Sequence, residues 1–290
     1  MKIGDIVVRK SYGKDVTFKV IDIRHEKGKD IYILKGINIR IIADSPKEDL
    51  EITSSKSLGE KDEIFNRKVK QSIKRILTTR ADDVEVMSGM TLKNKELKDK
   101  DLYFGRPGKV LHIDGDGDYL EVCLKTYKRI GIDVVGKVLQ EKEQPKNVVN
   151  LVKEYKPDIV VITGHDSMIK GTKNYMDLNN YRNSKYFVES VNELRNYEAN
   201  YDNLVIFAGA CQSCYEAILG AGANFASSPS RVLIHCLDPV FTCEKIAYTN
   251  IEKIVSIQEV IENTITGTKG IGGLETRGKY RQGFPKSPYV

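Results

Sequence analysis

The chain has no run of about 18 consecutive apolar residues. Its opening, MKIGDIVVRK, has no apolar segment of the kind that directs export. The expectation is therefore a chain without a membrane span or a secretion signal, kept in a reducing compartment. Cysteine is sparse, five residues in 290, and an odd number of thiols under reducing conditions predicts free thiols rather than disulfides. A single C-x-x-C occurs, Cys211-Gln212-Ser213-Cys214. Without a second one, a zinc site built on it would have to recruit His235, Cys236 or Cys243. Aromatic residues make up 8% of the chain and form no exposed run, and the net charge of +6 is mild and spread over many lysines. That argues against nucleic acid as a partner and allows only weak attraction to anionic surfaces.

What remains is the composition of an ordinary globular protein, 40% hydrophobic and 30% charged, long enough for one large or two modest domains. Residues 1–53 alternate short strands (GDIVVRK, VTFKVIDIR, DIYILKG, IRIIADS) with breaks at Gly4, Gly13, Gly28 and Gly36. This pattern predicts a small SH3-like β-barrel. Arg9, Lys10, Arg24, Lys27 and Lys29 make it basic. A binding module and a structural cap on the rest of the chain both remain open for it. Residues 54–105 read as a charged connecting region with one amphipathic helix, Lys61 to Leu77, whose apolar residues Ile64, Phe65, Val69, Ile73, Ile76 and Leu77 fall on roughly one face. The segment Leu92 to Asp101, LKNKELKDKD, is charged enough to be solvated and mobile.

Residues 106–290 alternate strands with helices, which predicts a mostly parallel sheet flanked by helices, an α/β fold. Strands are expected at Lys109–Ile113, near Val134 and Val135, at the stretch ending in His165, at Leu204–Ala208 and at Arg231–Leu237. Helices are expected at Tyr119–Ile130, Pro145–Tyr155, Tyr186–Tyr197, Ser213–Leu219 and Glu259–Thr264. The Gly-rich, basic tail after Thr264 predicts a loop.

Two of these strands end in residues that carry chemistry. DIVVITGHD delivers His165 and NLVIFAGACQS delivers Cys211. Parallel neighbours present their C-terminal ends on one sheet edge, where open α/β folds bind ligands. A thiolate there is a strong nucleophile and a nearby histidine can exchange its proton, a chemistry that needs no metal and no cofactor. The acids of the loop after the first strand, Asp114, Asp116 and Asp118, have several readings. They resemble the start of an EF-hand loop, but Lys125 stands where the twelfth-position glutamate belongs. They also fit a phospho-acceptor or Mg²⁺ site, the wall of a pocket for a basic side chain, or solvated turn formers.

The order of strand, GHD, helix, strand and AGAC resembles the caspase-like clan of cysteine peptidases, in which a histidine about 50 residues upstream of the cysteine is a known spacing. More specifically, GDIVVRKSYGKDVTFKV, VLHIDGDGDYLEVCL, PDIVVITGHD and VIFAGACQSCYEAILGAGANFASSPSRVLIHCLDPV together resemble a family of sporulation-specific proteases of spore-forming Firmicutes, over nearly the whole chain. That resemblance implies a caspase-like peptidase domain acting on spore-coat and other spore proteins, in the cytoplasm of the sporulating cell or at the forming coat, and cleaving after arginine. It implies Cys211 as nucleophile, His165 as its partner, and the backbone N–H groups of Asp166 and Cys211 as the oxyanion hole. In the clan the loop after the first strand borders the S1 pocket, so Asp114, Asp116 or Asp118 is the expected S1 acid, with Asp238 as the alternative. There are departures. Asp166 follows the histidine where the clan often has glycine, and Gly209 stands where some arginine-specific members carry an acid. Self-cleavage is expected at Arg75, Arg80, Arg277 and Arg281, which lie in polar stretches. A non-enzymatic spore-assembly scaffold and a redox or zinc protein using Cys211 and Cys214 are the competing classes.

Overall fold

A computed structural model describes residues 1–26, 28–53, 59–91 and 102–289, and for 81–91 the backbone alone. The charged segment Leu92 to Asp101 lies outside the described residues. The N-terminal strands β1 (Ile6–Arg9), β2 (Thr17–Glu26), β3 (Lys29–Gly36), β4 (Ile42–Pro46) and β5 (Leu50–Ile52) form one antiparallel sheet in the order β4-β3-β2-β1-β5. Along β3 the side chains alternate as a half-buried strand should, with Tyr32 and Leu34 turned inward. IRIIADS is only partly a strand. β4 starts at Ile42, and residues 37–41 form a turn whose entry requires Gly36, because a Cβ there would collide with the Ile39 carbonyl oxygen.

Helix α1 (Glu60–Thr91) is longer than its apolar pattern predicts. Phe65, Val69, Ile73 and Ile76 pack into the main core, while Ile64 and Leu77 are exposed, so the buried stripe is narrower than expected. The chain then runs through β6 (Phe104–Arg106), β7 (Val110–Asp114), α2 (Gly117–Arg129), β8 (Val134–Val138), α3 (Gln144–Tyr155), β9 (Ile159–Thr163), α4 (Ser184–Tyr197), β10 (Val205–Ala208), α5 (Tyr215–Gly220) and β11 (Phe225–Ser227). It finishes with α6 (Asp238–Tyr248), β12 (Ile254–Val255), α7 (Ile257–Asn263), β13 (Ile271–Gly273), β14 (Thr276–Arg277) and β15 (Arg281–Gly283).

The large sheet has the order β13-β11-β10-β9-β7-β8. Its strands run parallel except β13, which is antiparallel to β11. Alternate strand residues face opposite layers. Val110, Ile159, Val161, Val205 and Phe207 meet α1, α2, α6 and α7. Leu111, Ile113, Val160, Ile162 and Ile206 meet α3, α4 and α5. A sheet covered on both faces explains why its strands read as unbroken apolar runs.

Two expectations fail here. Arg231–Leu237 is not a strand: Arg231 takes a left-handed φ of 53°, the segment runs along the sheet edge, and the strand in this region is β11. The tail is not a loop, since β13, β14 and β15 all pair. Its glycines serve close approach. A Cβ at Gly273 would strike the Phe225 ring, and one at Gly272 the Tyr215 ring.

Candidate active site

β7, β9 and β10 are neighbours, and their C-terminal ends share one edge. Asp114 closes β7 opposite Thr163 of β9, and Ile162 of β9 pairs with Ala208 of β10. Two residues after Thr163 comes His165, and three after Ala208 comes Cys211. The expected meeting of these two strands is therefore present in the sheet order. Gly209 makes the exit from β10 possible: its φ is +109°, and a Cβ there would meet the Ser227 hydroxyl.

His165 is held from several sides. Its Nε2 lies 2.8 Å from Asp116 Oδ2, its backbone N–H donates to Glu141 Oε1 at 2.7 Å, and its carbonyl accepts from Asn183 Nδ2 at 2.8 Å. The Tyr119 ring lies 5.8 Å from the imidazole, centroid to centroid. The glycine before it has a cause: a Cβ at Gly164 would collide with the Glu141 carboxylate. The His165 side chain is 25% exposed. Cys211, by contrast, is 1% exposed. Its sulfur accepts from the Ile234 N–H at 3.2 Å, and burial pushes the thiol up to about 12, with the Ile234 N–H and Arg40 working the other way. Among the described residues no hydrogen bond joins Cys211 to His165, and the N–H groups of Asp166 and Cys211 have no hydrogen-bond acceptor. Buried, unpaired backbone donors are rare.

The acids divide by environment. Asp114 is wholly buried. It receives Arg40 Nη1 at 2.5 Å, the Thr163 hydroxyl at 2.9 Å and the Asp116 N–H at 2.9 Å, with His112 Nε2 3.6 Å away. Burial would raise its pKa, but Arg40 and His112 outweigh that and hold it at about 2. Asp116 caps α2 through the Asp118 and Tyr119 N–H groups and receives Lys35 Nζ at 2.6 Å. Burial works against its charge, yet His165 and Lys35 keep it well below the usual carboxylate range. Asp118 is 81% exposed and shares Lys35 at 2.6 Å. Asp166 is buried and accepts from the Ser167 N–H, the Asn183 N–H, and the Ser184 and Ser213 hydroxyls, tying the His165 loop to the Cys211 loop. Asp238 sits at the start of α6 rather than after a strand. It is saturated by the His235, Ile265 and Thr266 N–H groups and the Thr266 hydroxyl, so it carries no side chain of opposite charge.

Residues 2–285 match the family model described as YabG peptidase U57. The chain is 45% identical, over 98% of its own length and 98% of the other, to the sporulation-specific protease YabG of Bacillus subtilis strain 168. The chain belongs to the YabG peptidase family. It is a peptidase, a hydrolase of peptide bonds, and no helix among the described residues is long and apolar enough to cross a membrane.

For a YabG-family peptidase, the residues missed by sequence reasoning are those whose role depends on distant partners. Arg40 is the foremost. It lies in the turn after β3, is 1% exposed, and reaches Asp114 as well as the Cys236 carbonyl, at 3.4 Å from Nη2. Burial would lower its pKa, but Asp114 more than offsets this and raises it. Tyr119 and Glu141 were equally silent. The arginines expected as self-cleavage sites are not in loops. Arg75 and Arg80 lie in α1 and Arg277 and Arg281 in paired strands, and Arg80 is engaged by the Ile130 carbonyl and Glu244. Cys214, the second cysteine of the C-x-x-C, has its sulfur 3.7 Å from the Tyr175 carbonyl.

Proposed function

We propose that this peptidase is a cysteine endopeptidase of sporulation that cleaves spore-coat and related spore proteins after arginine, on a caspase-like sheet preceded by an SH3-like module. The observation that carries the reading is that His165 and Cys211 leave adjacent parallel strands beside a buried carboxylate, Asp114, already paired with a guanidinium. Cys211 Sγ attacks the scissile carbonyl and its proton passes to His165. The imidazolium protonates the leaving amine, and water then hydrolyses the thioester with His165 as base. With Nε2–H donating to Asp116, Nδ1 is the nitrogen left for this proton transfer. The unpaired N–H groups of Asp166 and Cys211 are suited to the oxyanion, where such donors are worth about 3 kcal/mol each.

Specificity for arginine follows from the chemistry of the pocket. A guanidinium needs a carboxylate whose own charge is secured, and Asp114 has that support from Thr163, His112 and the Asp116 N–H. Asp116 is occupied with His165, Asp118 is at the surface and Asp238 is saturated, so Asp114 is the S1 acid. Self-cleavage belongs to the same reading, because the chain carries its own arginines.

Replacing Cys211 or His165 by alanine abolishes cleavage of a peptide with one arginine while leaving the far-ultraviolet circular dichroism spectrum unchanged. Cys214→Ala keeps substantial activity, which a redox or zinc role for the C-x-x-C would not allow. On incubation the wild type shortens by intact mass and the Cys211→Ala chain does not. Undiminished cleavage by Cys211→Ala, free of contaminating protease, refutes the mechanism and leaves the scaffold reading.

A further inference from the structure

The space beside Cys211 is filled by the chain itself. Residues 37–41 leave the N-terminal sheet and lie against the segment between β11 and α6. There Ile39 pairs antiparallel with His235 and the Cys236 N–H donates to the Asn38 carbonyl at 2.9 Å. The Tyr119 hydroxyl reaches the Gly36 and Ile39 carbonyls at 2.5 and 2.7 Å. The Asn38 side-chain amide donates to Asp62 at the start of α1, at 2.7 Å. From this seat Arg40 sends its side chain to Asp114, and Ile39 joins Cys211 and Ile234 in one apolar cluster. The Arg40 backbone N–H also faces the Cys211 sulfur.

Main-chain hydrogen bonds to a bound segment, with one anchor side chain seated against a complementary charge, are the features by which a peptide is recognised. Closing a β-turn does not require a buried guanidinium, and an apolar residue of similar volume holds a core as well or better. The arginine at this position therefore points to the pocket's ligand.

We propose that residues 37–41 are a built-in, substrate-like occupant of the peptidase cleft, with Arg40 in the arginine pocket, and that the intact chain stays latent until this turn leaves. The inference rests on the assignment of Cys211 and His165 as the catalytic pair. The turn is seated as an inhibitor. The Ile41 N–H, which would belong to the leaving amine if the Arg40–Ile41 bond were cut, donates back to the Ile39 carbonyl at 2.8 Å. Occupant and cleft share one chain, so the occupant acts at an effective concentration of order millimolar. An outside substrate reacts only with the fraction of molecules whose cleft is open.

The test uses the full chain, freshly purified and verified uncut by intact mass. The rate of Cys211 labelling by a peptidyl acyloxymethyl ketone ending in arginine is measured for wild type, Arg40→Ala and Tyr119→Phe, alongside cleavage of a short peptide with a single arginine. Arg40→Ala labels about tenfold faster or more. Tyr119→Phe, which keeps the buried ion pair and removes only the hydroxyl contacts to the turn, labels severalfold faster. Should Arg40→Ala fail to fold, the Tyr119→Phe rate decides. Rates equal to wild type in the folded variants, with all of them active, overturn latency and leave the peptidase assignment standing. Absence of labelling and cleavage in every form overturns the catalytic assignment, and this inference with it.

Discussion

Asp114 and Asp116 stand two residues apart, and each meets a cation from the N-terminal region, Arg40 of the turn after β3 and Lys35 of β3 itself, yet the floor and the rim of this sheet end are different environments. On the floor, Arg40 and Asp114 are both without solvent contact. On the rim, Lys35 bridges Asp116 and Asp118 beside His165, with Asp118 open to water. A buried pair is held by desolvation as much as by attraction. Removing one partner strands a charge at a cost of about 3–5 kcal/mol, whereas a pair with one partner open to water, as Lys35 with Asp118, is worth about 0–1 kcal/mol. The same two charge types thus make a wholly buried ion pair in one place and a partly open one beside His165 in the other.

The sharpest way to break this contrast is Asp114→Asn. Cleavage after arginine falls about 30-fold or more, the equivalent of roughly 2–5 kcal/mol for a buried charge partner. A small neutral alkylating agent still labels Cys211, and the melting temperature drops. Peptide series with arginine and neutral P1 residues measure this, and an unchanged arginine preference would falsify the assignment of the floor as S1. Asp238→Asn, whose carboxylate is taken up by backbone N–H groups and the Thr266 hydroxyl, leaves the preference unaltered.

Next in size is Asp116→Asn, which takes from His165 the carboxylate that fixes its ring. The turnover number falls about tenfold or more, as expected for disturbed acid–base catalysis, with little change in KM. A change confined to KM would mean that the rim binds substrate instead.

The floor also predicts a pH dependence of stability. Burial pushes His112 down against the pull of Asp114 and pushes His235 down to about 3, with Arg40 adding to the effect at both. Below about pH 6.5 the unfolded chain takes up a proton that folded His235 refuses, which removes about 1.4 kcal/mol of stability per pH unit as pH falls toward 3, and His112 acts in the same direction. Asp114, held at about 2, works in a lower window. Its contribution is present above about pH 4 and is lost as pH falls toward 2. Urea midpoints between pH 7 and 5 therefore carry the His235 contribution, opposed by the buried carboxyls of Asp166 and Asp238, whose pKa values burial raises, and His235→Gln lowers the loss of stability per pH unit. A slope unaffected by this substitution removes His235 from the account.

The smallest effect belongs to Lys35→Gln. Lys35 and Asp116 are each 12% exposed while Asp118 is open to water, so stability falls by less than the about 3–5 kcal/mol of a fully buried pair, and arginine preference is kept.

Much of the fold was legible because it depends on local pattern. Apolar runs of four or five residues marked β7, β9 and β10, and i, i+4 spacing such as Phe187 and Val191 marked α4. Of the candidate site, the neighbouring strand ends that precede His165 and Cys211 were legible. The tail and Arg231–Leu237 were not, for opposite reasons. Glycines that read as loop formers are there because the Phe225 and Tyr215 rings need their space, while an apolar run that reads as a strand spends its backbone bonds on the Cys211 loop and on an isolated bridge to Ile39. The α6 helix went unread because its buried residues lie on all sides, which erases periodicity.

By itself, then, the sequence determined the alternation of strands and helices and the family, since both are written in short stretches of neighbouring residues. Only the tertiary structure decided which partners each acid has. Asp114, Asp116 and Asp118 share a side chain and a short stretch of chain, and spacing cannot rank them. They are separated by what the rest of the chain brings: Arg40 to the first, His165 to the second, water to the third. Burial and partnership arise from contacts between residues 74 and 49 positions apart in the chain, and a linear pattern holds no record of them.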